Sequence, residues 1–293
     1  MLPQIPGKSY PNEVCLNGEW MKPEEAQISV FDRGFMLGDA LYEVIPFYDG
    51  KVFALEEHLD RLKYSLSQIR FDFEVKKLVP FILQAVERSS YAEEDAAVYL
   101  QLSRGTAPRT HFFPQSSEPN FLVYSFPVKL KDFEQRSWRL LLAEDIRWHR
   151  CDIKTTSYLA NTMLNDESHR LGLDETLLFR DGKITEGSHS TAFFVKDNVI
   201  YTHPEGPEIL SGITRKIVID LCRELSLDIR EESYRLEDFE NLDEVFLTGT
   251  TTQVMMITDI FFEGSKIFSR PEAGPVTQKL QKAFKEKTRN CQA

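Results

Sequence analysis

The chemistry this sequence can do turns on a lysine and a glutamate. Lys154 stands in the run Cys151-Asp152-Ile153-Lys154-Thr155-Thr156-Ser157-Tyr158-Leu159. Glu186 stands in Thr185-Glu186-Gly187-Ser188-His189-Ser190-Thr191. The first run reads as a strand-to-helix junction, the second as a carboxylate beside a glycine and a cluster of hydroxyls. A lysine amine can form a Schiff base with an aldehyde cofactor. A carboxylate can keep a proton on a pyridine nitrogen and so make that ring an electron sink. Together the two residues fit pyridoxal phosphate chemistry. Each has a blander reading alone: a lysine near a strand end is usually a solvated charge, and a glutamate before glycine usually belongs to a turn.

Other segments offer groups that such a cofactor and its substrates need. Gly212-Ile213-Thr214 opens a helix, whose unpaired N–H groups and dipole favour an anion. The simpler reading is that Ser211 or Thr214 caps that helix. Thr248-Gly249-Thr250-Thr251 presents hydroxyls after a strand, as many turns do. Arg61 reads first as one half of an exposed i,i+4 pair with Glu57. Arg109 and His111 lie in a long polar and aromatic loop over 103–114, a length more often functional than neutral. Arginine presents a planar fork to a carboxylate. Ser188 and Ser190 beside His189 evoke a hydrolase, but the Gly-x-Ser-x-Gly elbow is missing and no acid partner is evident. The six histidines, including His58, His169 and His203, form no helical or strand pair suited to a metal, so no metal is expected.

Ile153-Lys154 and Thr185-Glu186-Gly187-Ser188 resemble the two signature segments of the class IV, or fold type IV, pyridoxal-phosphate aminotransferases, and the resemblance runs from about Asn17 to Leu280. Within that family the chain looks most like the bacterial D-amino acid transaminases. The resemblance implies that Lys154 is the Schiff-base lysine and Glu186 the partner of the pyridine nitrogen. It implies that Arg61, Ile213, Thr214 and Thr250 hold the cofactor phosphate, and that Tyr42, Arg109 and His111 hold the substrate carboxylate. It further implies a homodimer with shared active sites, in which Arg109 and His111 serve the partner's site. The activity implied is amino transfer from a small D-amino acid such as D-alanine to a 2-oxo acid such as 2-oxoglutarate. Branched-chain L-amino acid aminotransferase and 4-amino-4-deoxychorismate lyase are the alternatives. Both typically carry an arginine where this chain has Pro46, and D-amino acid transaminases commonly carry lysine there. A second departure is Gly249, where those transaminases often have serine.

The elements that must position these residues mix strands and helices without regular βαβ alternation. Asn17-Gly18 marks a hairpin turn within 14–20. Strands are expected at 38–45, 96–102, 121–126, 140–144, 176–179, 192–195, 199–201 and 245–249. Helices are expected at 55–69, 75–86, 158–171, 212–225 and 275–287. The expectation is an α+β chain of two domains: a small N-terminal domain over 1–130 and a larger C-terminal domain over 137–293, with the polar run 131–136 as linker. The resemblance makes the first an α/β sandwich-like domain and the second a barrel-like sheet domain, with the cofactor between them.

Composition bounds the rest. The 293 residues are 42% hydrophobic and 28% charged, ordinary for a soluble globular chain. A net charge of −11 argues against a nucleic-acid surface and against anionic membranes. The four cysteines, Cys15, Cys151, Cys222 and Cys291, are scattered with no metal or redox spacing. Residues 1–7 lack a signal-peptide pattern, and no apolar run is long enough to span a bilayer. The expected location is the cytoplasm.

Overall fold

The computed structural model describes residues 10–290; the stretch 1–7 and Cys291, both interpreted above, lie outside the described residues. The chain forms two compact units. One holds the chain through Lys129 together with Ile153–Ser157; the other holds Leu130–Asp152 and everything from Tyr158 onward. Lys154 therefore packs with the first unit, although it lies well beyond it in sequence. The run 131–136, expected as a linker, carries a 3-10 turn at Phe133–Gln135. Phe133 in that turn is buried edge-on against Phe284, with ring centroids 6.0 Å apart.

In the first unit, β1 (Val14–Leu16) and β2 (Glu19–Met21) form the expected hairpin. Asn17 and Gly18 have φ of 52° and 92°, the left-handed pair that a two-residue hairpin turn requires. A short helix α1 (Arg33–Leu37) follows, capped by Asp32 and closed by Gly38 at φ 66°. Next come β3 (Ala40–Tyr48), β4 (Lys51–Val52) and α2 (Leu55–Gln68). The helix expected over 75–86 begins as a 3-10 turn, Val75–Leu78, and becomes α3 (Val79–Glu87) only with Pro80 in its first turn. Proline is tolerated there because that N–H has no helical partner in any case. β5 (Ala96–Ser103) and β6 (Asn120–Pro127) complete an antiparallel sheet of order β2-β1-β6-β5-β3-β4.

Alternation along β3 decides which side chains are sealed. Leu41, Ile45 and Phe47 join Leu59, Leu62 and Leu66 of α2 and Ile82 and Val86 of α3 in one core. Glu43 shares their parity along the strand and is 1% exposed. Tyr42 has the opposite parity and is only half-buried. Truncating a core leucine such as Leu62 to alanine would cost about 2–5 kcal/mol.

The second unit is built from β7 (Ser137–Glu144), α4 (Leu159–Arg170), β8 (Glu175–Arg180), β9 (Lys183–Gly187), β10 (Thr191–Lys196) and β11 (Val199–Thr202). Then come α5 (Ile213–Glu224), β12 (Asp228–Arg230), β13 (Glu244–Gly249), β14 (Gln253–Phe262), β15 (Ser265–Ser269) and α6 (Pro275–Asn290). Its sheet runs β12-β11-β10-β13-β14-β7-β8-β9, with β15 added on β14. β7 is parallel to β8 and to β14, and β11 is parallel to β12. Parallel neighbours need a crossover; α4 lies in the β7–β8 connection and α5 in the β11–β12 connection.

The sheet curls. Ile184 of β9 and Phe194 of β10 share one core with residues of β7, β8, β13 and β14, although β9 ends the strand order. Phe193 and Phe246 belong instead to the core with Val218, Cys222, Leu280 and Phe284 of α5 and α6. Both faces of β10 and β13 are thus covered, which is why these strands read as unbroken apolar runs. Strands β9, β12, β14 and β15 were not among the expected elements. Among the described residues, no helix is long and apolar enough to cross a membrane.

Candidate active site

Glu186 lies inside strand β9, and Gly187 ends that strand. The turn reading of this glutamate is therefore corrected: it is held in a sheet and is 4% exposed. Its Oε1 accepts from Arg147 Nη1 at 2.6 Å, and both its oxygens lie 3.2 Å from the Leu210 backbone N–H. Arg147 is shared, since its Nε and Nη2 donate to Asp145 Oδ1 and Oδ2, each at 2.9 Å. Thr185 Oγ1 donates to the same Asp145 at 2.9 Å. Burial raises the Glu186 carboxyl above its ordinary range, although Arg147 and the Leu210 amide pull the other way. A carboxylate whose charge is only partly compensated is a fitting partner for a protonated ring nitrogen.

Leu210 leads directly into the N-terminus of α5. No side-chain hydrogen bond caps this helix, and Gly212 is the cap residue. Ser211 Oγ instead donates to Glu205 Oε1 at 2.7 Å, so the capping reading of Ser211 is corrected. A Cβ on Gly212 would sit 2.8 Å from Thr191 Oγ1 and 3.2 Å from Arg215 Cβ. The packing holds this turn close, and a helix N-terminus without a side-chain cap is an arrangement that favours an anion. Ile213 and Thr214 are the first two residues of the helix and are buried.

Thr191 pairs across the sheet with Thr248, whose buried Oγ1 has no hydrogen-bond partner among the described residues. Thr250 is half-buried in the turn between β13 and β14. Gly249 also has a local cause: a Cβ there would lie 3.1 Å from Thr252 Oγ1. A carboxylate lacking full compensation, an uncapped helix N-terminus and an unsatisfied hydroxyl together suit a phosphorylated pyridine.

The first unit holds the remaining expected residues. Thr155 bridges Leu41, and Tyr42 N–H donates to Lys154 O at 3.1 Å, so the lysine segment is laid along the start of β3. Lys154 N–H donates to Ser65 Oγ of α2 at 3.3 Å. The half-buried Lys154 Nζ lies 4.2 Å from the centre of the Tyr42 ring, which itself stacks on Tyr99 at 5.7 Å. Arg109 and His111 are exposed and adjacent, with Arg109 Nη1 3.4 Å from His111 Nε2.

Arg61 is not the exposed partner of Glu57. It is 8% exposed and grips Glu43 with Nε at 2.8 Å and Nη2 at 2.7 Å. His58 Nδ1 sits 2.7 Å from Glu43 Oε2. Burial opposes the Glu43 charge, but Arg61 and His58 outweigh it and hold the carboxyl down at about 2. Burial likewise pushes His58 below its ordinary value, against the pull of Glu43. Sequence reasoning missed Glu43 and His58 here, and Asp145 and Arg147 at Glu186. The available signal was His58 and Arg61, three residues apart on the face of α2 that also carries Leu59, Leu62 and Leu66.

The hydroxyl cluster after Glu186 does have an acid partner, Glu175, which is fully buried. It accepts from Ser188 Oγ at 2.5 Å and from Ser190 Oγ at 3.1 Å, and it pairs with His189 Nδ1 at 2.6 Å. Burial resists its charge, yet His189 and Ser188 hold its carboxyl below the ordinary range. Ser188 Oγ donates straight to the carboxylate, and the same His189 nitrogen faces both groups at 3.3 Å from Ser188. That is a brace for the turn after β9, not a nucleophile relayed through a base.

Residues 40–260 match the model of the amino-transferase class IV family. The chain belongs to the class IV aminotransferases. It is 38% identical over 275 residues to a D-alanine aminotransferase of Bacillus licheniformis, covering 93% of this chain and 95% of that one. It is 34% identical over 278 residues to a D-alanine aminotransferase of Staphylococcus aureus strain N315, covering 94% and 97%. Among solved structures it is similar to the branched-chain amino acid aminotransferase from Escherichia coli, with a TM-score of 0.81, 25% identity and coverage of 94% and 93%. It is also similar to the branched-chain enzyme from Thermobaculum terrenum in its PLP holo-form, with a TM-score of 0.79, 25% identity and coverage of 96% and 95%. The fold is that of the fold type IV enzymes, and this class IV chain is a transaminase.

Proposed function

We propose that this class IV chain transfers the amino group of a small D-amino acid, such as D-alanine, to a 2-oxo acid such as 2-oxoglutarate, using pyridoxal phosphate. The observation that carries the reading is the placement of the Lys154 amine over Tyr42, on a segment tied to β3 by the bond from Tyr42 N–H to Lys154 O. The D-alanine aminotransferases that match almost the whole chain favour the D-amino acid. Pro46 leaves no arginine at the position where the branched-chain enzymes and the lyase typically carry one.

When bound, pyridoxal phosphate supplies an electron sink for the pair left at the substrate Cα. Lys154 holds it through its amine and moves the proton at Cα. Glu186 keeps a proton at the ring nitrogen, with Arg147 fixing its orientation. Ile213, Thr214, Thr250 and Arg61 hold the phosphate, Arg61 aimed by its grip on Glu43. Tyr42, Arg109 and His111 hold the substrate carboxylate. The functional domains are 1–130 and 137–293, and the working form is a homodimer in which each 104–114 loop serves the partner's site.

Single-turnover mixing of holoenzyme with D-alanine or L-leucine, followed by cofactor absorbance, tests the substrate. D-alanine should react and L-leucine should not; the opposite preference would overturn the reading. Mixing inactive Lys154→Ala subunits with impaired Arg109→Ala subunits tests sharing. Regained activity is expected, because one heterodimer site is then intact. If each site were made by one chain, none would return.

A further inference from the structure

Asp39 stands outside every group assigned above, yet it ties three of the proposed parts of the first unit together. Its side chain is 8% exposed, and two guanidiniums converge on it. Arg33 Nε donates to Asp39 Oδ2 at 2.8 Å, and Arg104 Nε donates to the same oxygen at 2.9 Å and to Oδ1 at 3.2 Å. Both arginines are more than nine-tenths buried. Each then reaches a different segment. Arg33 Nη1 donates to Thr110 O at 3.2 Å, the carbonyl between Arg109 and His111. Arg104 Nη2 and Nη1 donate to Ile69 O at 2.9 Å and Arg70 O at 3.4 Å, where α2 ends. The Arg104 guanidinium also lies 3.9 Å from the centre of the Phe113 ring, further along the same loop. On either side of Asp39, Gly38 O accepts from Thr155 Oγ1 and Ser157 Oγ, each at 3.3 Å, and Ala40 O accepts from Thr156 N–H at 3.0 Å.

Two buried cations on one carboxylate are strongly coupled to it, because neither has water to replace a lost partner. Removing the Asp39 charge frees Arg33 and Arg104 to turn elsewhere, and the loop then loses its hold at Thr110 and Phe113. We propose that Asp39 is a positioning residue for the 105–113 loop: it sets where Arg109 and His111 stand, and so governs affinity for the substrate carboxylate. It touches no substrate. This inference rests on the carboxylate role given above to Arg109 and His111. A misplaced carboxylate grip weakens ground state and transition state alike, which raises KM and spares kcat.

The test compares Asp39→Asn with wild-type holoenzyme in two ways. In kinetics, KM for D-alanine and for 2-oxoglutarate should rise about tenfold or more, with kcat within about threefold and the cofactor absorbance unchanged. On an Arg109→Ala background the same substitution should add little, because both changes act through one contact. In limited trypsin digestion followed by mass spectrometry, cleavage after Arg109 should become about tenfold faster in Asp39→Asn, because a loop that has lost its tether leaves the partner's site more often. A fall in kcat with KM unchanged, a full additional effect on the Arg109→Ala background, or an unchanged cleavage rate would each overturn the proposal. If wild type turns over no D-amino acid but cleavage still accelerates, the substrate reading fails and the positioning role of Asp39 stands. If Asp39→Asn does not fold, Arg33→Gln, which cuts the tether to Thr110 O directly, is judged by the same readouts.

Discussion

Glu43 in the first unit and Glu186 in the second are both buried glutamates gripped by an arginine, and their carboxyls are driven in opposite directions. Glu43 takes two bonds from Arg61 and a third from His58. Its carboxyl falls to about 2. Glu186 has one bond from Arg147, which divides its guanidinium with Asp145, and its carboxyl rises. Burial alone therefore does not set the ionisation of a glutamate; the charges around it do, Arg61 and His58 on Glu43 against a divided Arg147 and a repelling Asp145 beside Glu186. Glu43 is saturated and serves as an anchor. Glu186 retains capacity for a further cation, which the ring-nitrogen role proposed for it requires.

Breaking the two carboxylates should separate these roles. The largest effect is expected from Glu186→Gln, which should slow turnover about a thousandfold, roughly 4 kcal/mol in the barrier. Its stability against urea should match wild type or exceed it, because a poorly compensated buried charge has been removed. Near-normal turnover would overturn the ring-nitrogen role proposed for Glu186.

Glu43→Gln should act the other way round. It leaves Arg61 buried without its counter-charge, and urea unfolding should show a loss of about 3 kcal/mol. A loss well under 1 kcal/mol would show that Glu43 is not the anchor its geometry describes.

The pH dependence sharpens the same contrast at smaller cost to the protein. The Glu43 carboxyl is lower in the folded chain than its ordinary 4.5, so its contribution is full above 4.5 and is lost as pH falls toward about 2. The Glu186 carboxyl is raised, so its contribution fades as pH rises through the range above 4.5. Unfolding followed between pH 2 and pH 7 should show a steep acid limb that Glu43→Gln flattens and Glu186→Gln leaves in place. An acid limb untouched by Glu43→Gln would assign it to other carboxylates.

The smallest effect is expected at Glu175. Its partner His189 is 39% exposed at the side chain, and Ser188 and Ser190 also donate to the carboxylate. His189→Ser should cost less than about 1 kcal/mol in urea unfolding, because a half-solvated pair contributes little. A larger loss would place His189 with the saturated anchors.

By itself the sequence pointed to residues with the right chemistry, and it determined the hairpin at Asn17-Gly18 and most of the helices. Those features follow from side-chain type and from spacing along one stretch of chain, such as the leucines of α2. Strand β9 escaped because Thr185 and Glu186 look like turn residues until a neighbouring strand pairs with them. Strand β14 escaped because its pairing with β7 joins segments more than a hundred residues apart. Local pattern carries no record of such partners.

The tertiary structure alone decided that Arg61 faces Glu43, that Arg147 is divided between Asp145 and Glu186, that Ser211 leaves the α5 N-terminus uncapped, and that Lys154 packs beside Tyr42. The physical reason is common to all four. A charged or polar side chain read in sequence has water as its default partner, and only burial forces it to choose another group.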